Sequence, residues 1–146
     1  MAVLNMAKNI KEIHTEFILL FKVGSFYHAY GKDAYIMSYL FGYQMKNKKD
    51  NIYEIGFPKN IVPKVTAKLE NEKINYMLID TRNNYDVDEK SDNKNLNTYL
   101  KKLDTSLKYI RLKRRIDRIS EVLILEINNE NIKEKLRKIE EIIDES

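Results

Sequence analysis

Catalysis by nucleophile or metal needs clustered side chains, and this chain of 146 residues does not supply the clusters. It has no cysteine, which removes disulfides, zinc ribbons and thiol catalysis together. Its histidines, His14 and His28, have no tight group of acids beside them in sequence, so no metal centre is expected. Asp33, Asp80, Asp86 and Asp88 carry the oxygens that hold divalent cations, but the last two lie in a polar stretch where acids are commonly just solvated. No Ser-His-Asp order stands out. The glycines are Gly24, Gly31, Gly42 and Gly56, and none opens a Gly-Lys-Ser/Thr sequence, so a phosphate-binding loop of the ATPase type is missing. The residue types point to a binder rather than an enzyme, with no cofactor.

Binding chemistry gathers in two places. Lys108, Arg111, Arg115 and Arg118 are spaced by three, four and three, which is one face of a helix, and Arg114 lies beside it. Such a face is either a ridge for phosphates or a solvated surface paired with acids, including those of the last helix. The formal net charge is only +4, yet the bases collect between Lys101 and Arg118 while Glu130 to Ser146 is acid-rich. A local excess matters because each neutralised phosphate releases counterions. Lys46, Lys48 and Lys49 repeat the signal more weakly. The second place is Phe26-Tyr27-His28, directly after Gly24-Ser25. Alternation alone makes Phe26 a core residue on a strand face. Tyr27, Tyr30, Tyr35, Tyr39 and Tyr43 belong to core and rim more readily than to a base-stacking platform.

The elements that carry these residues follow from periodicity. Residues 5–15 read as a helix with Met6, Ile10 and Ile13 on one side. Phe17 to Val23 is apolar and β-prone, a strand buried on both faces. Gly24-Ser25 turns the chain, and Phe26 to Tyr30 returns antiparallel. Lys32 to Phe41 has helical spacing and stops at Gly42, a left-handed cap. Tyr43 to Met45 and Ile52 to Phe57 read as strands around a polar loop, Lys46 to Asn51. A helix over Ile61 to Glu72, with Pro63 in its first turn, leads to a strand over Ile74 to Asp80. Asn83 to Asn95 is almost free of apolar residues and reads as a linker or mobile loop. Beyond it Leu96, Leu100, Leu103, Leu107 and Ile110 keep helical steps, followed by Leu112, Ile116, Ile119 and Leu123. Asn128-Asn129 breaks the pattern, and Asn131 with Glu134 forms a candidate capping box. The expectation is an α/β (α+β) domain over residues 1–82, a small mixed sheet with flanking helices. A polar linker at 83–95 and a helical extension at 96–146 follow, the extension being a hairpin or a three-helix unit.

Composition allows this. The apolar share of 43% suffices for a core beside 33% charged residues, and wholesale disorder is not expected. The N-terminal residues lack a basic start followed by a long apolar run, and Phe17 to Phe21 is far too short to span a bilayer. A cytoplasmic protein is expected.

The stretch Phe17-Ile-Leu-Leu-Phe-Lys-Val-Gly-Ser-Phe-Tyr-His-Ala-Tyr-Gly-Lys-Asp-Ala34 resembles the opening of the mismatch-recognition domain of the MutS family. A second block, Ile55-Gly56-Phe57-Pro58, is similar to that family's Ala-Gly-(Ile/Val)-Pro. Ala67-Lys68-Leu69 and the strand Ile74 to Ile79 follow in order, so the resemblance covers residues 10–82. It implies a fold of the MutS domain I type and a role for Phe26 as a wedge, pushed into DNA beside a mispaired base. The family places Glu two residues after that Phe, where it accepts a hydrogen bond from the base. Here His28 stands in its place. An imidazole offers one donor and one acceptor when neutral and donors alone when protonated. His28 is thus either a substitute hydrogen-bonding partner or a surface residue without a role.

The resemblance implies a module for mismatched or bent double-stranded DNA, with Phe26, Tyr27 and His28 at the lesion; the basic helix face of Lys108, Arg111, Arg114, Arg115 and Arg118, which lies beyond the resemblance, is the candidate for contacts to the backbone. It also implies an ATPase-bearing partner, since the motor is not here, and a homodimer is a further expectation. Two alternatives stay open. One is an assembly module that keeps the fold without the mismatch function, and the other is a binder of structured RNA through the basic face.

Overall fold

The computed structural model describes residues 2–49, 51–91 and 97–145. Six strands form one sheet in the order β3-β4-β2-β1-β5-β6. They are β1 (Ile18–Val23), β2 (Phe26–Tyr30), β3 (Lys46–Lys49), β4 (Ile52–Pro58), β5 (Tyr76–Asp80) and β6 (Asp86–Lys90). The β1–β5 pair is parallel and all other pairs are antiparallel. The helices are α1 (Ala2–Ile13), α2 (Lys32–Phe41), α3 (Val62–Asn71), α4 (Tyr99–Leu125) and α5 (Ile132–Asp144). The chain divides into two compact units, residues 1–109 and 110–146, with residues of α4 in both. No helix among the described residues is long and apolar enough to cross a membrane.

In the first unit the central strand β1 is apolar on both faces because both are covered. Ile18 and Leu20 join Tyr27, Ala29, Ile55 and Phe57 in a core closed by Met37 of α2 and by Val65 and Leu69 of α3. Leu19 and Phe21 face the other way, with Met77 and Ile79, against Ala7 and Ile10 of α1. Each such side chain, fully buried, contributes about 1.5–3 kcal/mol. Pro63 sits in the first turn of α3, and Gly42 closes α2 with its N–H donating to Ser38 O at 2.8 Å, both as expected.

Asp33, a candidate cation ligand by sequence, has a structural task instead. It is buried at the start of α2 and accepts hydrogen bonds from Lys11 Nζ at 2.7 Å, Tyr99 Oη at 2.7 Å and Leu19 N at 3.1 Å. One carboxylate thus ties α1, β1, α2 and the start of α4 together. Burial pushes its pKa up, while Lys11, Tyr99 and the Leu19 amide oppose the shift. Burial likewise lowers the Lys11 pKa, against the pull of Asp33.

Three expectations need correction. Lys46–Lys49 is a strand, not a loop, and Tyr43 to Met45 has no regular structure. The Tyr43 ring stacks on Phe41 and Phe57 at 5.2 and 5.7 Å, closing the core from a loop. The polar stretch read as a linker contains β6, which pairs with β5. β3 and β6 are the two edges of the sheet, every residue of both is exposed, and neither needs an apolar face to hold its backbone ladder. Charged side chains on such edges also deter pairing with other chains.

In the second unit α5 follows the turn at Asn128-Asn129. The helical half therefore contains two helices, α4 and α5, among the described residues; the expected start at Leu96 lies outside them. Asn131 precedes α5, but its side chain makes no capping hydrogen bond, so the capping box is not formed. Lys135 instead pairs with Glu126 at 2.6 Å.

Candidate functional site

The β1–β2 hairpin turns on two residues. Gly24 has φ +64° and Ser25 is not among the positive-φ residues, the pattern of a type II′ turn. A side chain at position 24 would be strained there, which accounts for the glycine. The turn brings Val23 opposite Phe26, and Pro58 of β4 lies opposite Phe26 on its other side. Three apolar residues thus share one corner of the sheet. The core under α1 begins further along, so the Phe26 ring stays 44% exposed. Alternation alone made Phe26 a core residue, whereas the structure presents it.

Bases rim this corner. The Lys59 backbone N–H donates to Ser25 O at 2.9 Å, which sets exposed Lys59 beside the turn. The Arg82 guanidinium comes within 4.0 Å of where a Cβ on Gly24 would stand. Nothing in the linear sequence marks either residue. Both come to the Gly24-Ser25 turn only through strand register.

His28 follows on the same face of β2. Phe26, His28 and Tyr30 form a ladder of rings with centroids 6.4 and 6.4 Å apart, and Tyr30 leans on Phe21 at 5.9 Å. The exposed ring is therefore braced back to the core. His28 Nδ1 lies 2.6 Å from Oε1 of Glu54 on β4, though out of line for a straight hydrogen bond. Glu54 is 6% exposed, and its other oxygen lies 3.3 Å from Lys48 Nζ. Burial lowers the His28 pKa and Glu54 pulls it back, with the net shift downward. His28 is therefore mainly neutral at pH 7.

Tyr27 is turned away. It is 7% exposed and its ring stacks on Phe57 at 5.8 Å, so it supports β2 from the core and does not present its ring to a ligand. Lys108 is exposed and paired with Asp104 at 3.1 Å. Arg111, Arg114, Arg115 and Arg118 lie in the second unit and are all exposed. Their neighbour Lys113 pairs with Asp117 at 2.9 Å, which takes one acid away from the arginines.

This sheet, its hairpin and its corner carry the features of a known domain. The family model for MutS domain I matches residues 2–104, well over half of the chain. The chain belongs to the MutS domain I family. The match extends beyond the residues 10–82 that carry the resemblance, taking in β6 and the start of α4. No curated protein matches the chain.

Proposed function

We propose that the chain binds double-stranded DNA and inserts Phe26 at weakened base steps, in mismatch repair or a related DNA process. One observation carries this reading: Phe26 is 44% exposed at an apolar corner of a sheet whose other aromatic residues are mostly covered. Unstacking a base step costs a few kcal/mol and is cheapest where the pair is already broken. A wedge therefore senses distortion without reading bases. Lys59 and Arg82 beside the corner supply nearby phosphate contacts. Lys108, Arg111, Arg114, Arg115 and Arg118 supply the salt-sensitive part. The chain performs no chemistry in this reading, and ATP-driven steps belong to a partner. Gel-shift titrations with homoduplex, mismatched and bulged duplexes test it. Tighter binding of the distorted duplexes is expected, and no binding to any duplex at low salt refutes it.

A second reading has its own observation. Leu112, Ile116 and Ile119 of α4 and Ile142 and Ile143 of α5 are exposed. An apolar surface of this kind suits an assembly module, either a homodimer or a complex with a protein partner.

A further inference from the structure

A cavity of 420 Å³ opens between α1 and the sheet, within the first unit. That volume lies in the range of small-molecule sites, which are concave and mostly apolar. Its walls are Leu4 and Ala7 of α1, Leu19 and Phe21 of β1, Tyr30 of β2 and Ile52 of β4. Ala7 packs with Leu19 and Phe21, and its single methyl leaves depth that a longer side chain would fill. Gly31 widens the opening, since a Cβ there would meet nothing within 4 Å. The Phe21 and Tyr30 rings, 5.9 Å apart, give the cavity an aromatic wall. The Tyr30 hydroxyl makes no hydrogen bond among the described residues, and burial pushes its pKa up, so it stays a donor.

The charges at the mouth decide what fits. Lys11 Nζ donates to Phe17 O at 2.5 Å and to Asp33 at 2.7 Å, and it lies 4.4 Å over the Tyr99 ring, so its charge is already used. Lys8 and Lys32 have no such partner among the described residues, and Lys32 is close enough to Lys11 to oppose its charge. With Asp33 committed to Lys11, Glu12 alone among the lining acids stands against these two lysines. The mouth keeps a positive excess over an apolar interior. We propose that this cavity is a binding site for a small aromatic carboxylate, with its ring against Phe21 and Tyr30 and its carboxylate at Lys8 and Lys32. A single anionic group matches the excess, whereas a polyanion would meet Glu12 and a cation would meet the lysines. The site stands apart from the DNA reading, because neither Phe26 nor the basic run of α4 takes part.

Methyl NMR spectra of the full chain, titrated with naphthoate and with its uncharged analogue naphthamide, test this. Naphthoate is expected to give saturable shifts at Leu4, Ala7, Leu19 and Ile52. Naphthamide should shift the same methyls but bind more weakly by roughly five-fold, the worth of an ion pair at a solvated rim. Lys32→Glu is expected to remove that difference while naphthamide still binds. Ala7→Phe fills the cavity and should lose both compounds. If Ala7→Phe does not fold, the wild-type shifts and Lys32→Glu decide. No saturable shift with either compound, or shifts confined to the exposed Leu112, Ile116 and Ile119 of α4, overturns the site. Equal binding of the two compounds by wild type overturns the carboxylate as the ligand class. A Lys32→Glu protein that keeps the full preference for naphthoate overturns the placing of the charge.

Discussion

The imidazole of His28 covers the α-carbon of Gly56 so closely that a methyl group there would stand 3.0 Å from Nδ1 and 3.1 Å from Cε1. The two residues are register partners on β2 and β4, and Gly56 is exposed. Its φ is not in the left-handed range, so the glycine is there for clearance. Gly56→Ala should push the ring off Glu54 at a cost of about 1 kcal/mol. Urea denaturation measures the cost, and the variant should also lose preference for distorted duplexes. Unchanged stability and an unchanged imidazole spectrum would mean that the ring is not held there.

The family pattern invites His28→Glu. The structure argues against it as a repair. A glutamate at 28 faces Glu54 across the strand pair, and two carboxylates in that space raise the pKa of one and destabilise the sheet. We predict that His28→Glu lowers the melting temperature at pH 7 and recovers stability as pH falls through the carboxylate range. A more stable, better-discriminating variant at neutral pH contradicts this.

His28 also predicts a slope in wild-type stability. Its pKa in the folded chain is below its ordinary value of 6.5, chiefly through burial. The unfolded chain then binds the proton more readily, so the contribution is full above pH 6.5 and is lost as pH falls through the folded pKa. His28→Gln should flatten stability on the acid side of neutrality, by comparison with wild type in matched denaturant melts. A variant with the same slope would assign the titration elsewhere.

Lys11 and Asp33 form an ion pair at 2.7 Å whose carboxylate is buried. Lys11→Met leaves a buried carboxylate without its cation and should cost about 3 kcal/mol. Burial raises the Asp33 pKa, so the fold tolerates the neutral acid better, and the deficit should shrink as pH drops toward the ordinary carboxylate range. A deficit that grows on acidification contradicts the assignment.

The basic run of α4 should act on all duplexes alike. Arg111, Arg115 and Arg118 changed together to Ala should weaken homoduplex and bulged duplex by the same factor. The slope of log affinity against log salt should fall by about one per arginine. An effect confined to the bulged duplex would place these residues at the lesion instead.

Much of this molecule was legible in the linear chain, and the illegible parts share a cause. The Phe17 to Val23 run, the Gly24 turn and the Gly42 cap are local signals, and each stands where pattern puts it. β3 and β6 were missed because edge strands with no buried residue carry no apolar alternation. The exposure of Phe26 was legible only by resemblance, since alternation gave it to the core. Glu54 beside His28, and Lys59 and Arg82 beside the Gly24-Ser25 turn, were invisible because their proximity depends on strand register and turn geometry, which the spacing along the chain does not state.

The central claim is that Phe26 adds deformation-dependent affinity to electrostatic binding. Fluorescence anisotropy titrations of one bulged and one homologous perfect duplex, with wild type and Phe26→Ala at the same low salt, measure it most directly. The account predicts that wild type prefers the bulged duplex, and that Phe26→Ala binds both with the affinity wild type shows for the perfect duplex. A Phe26→Ala protein that keeps the full preference, or a wild type that shows none, contradicts it.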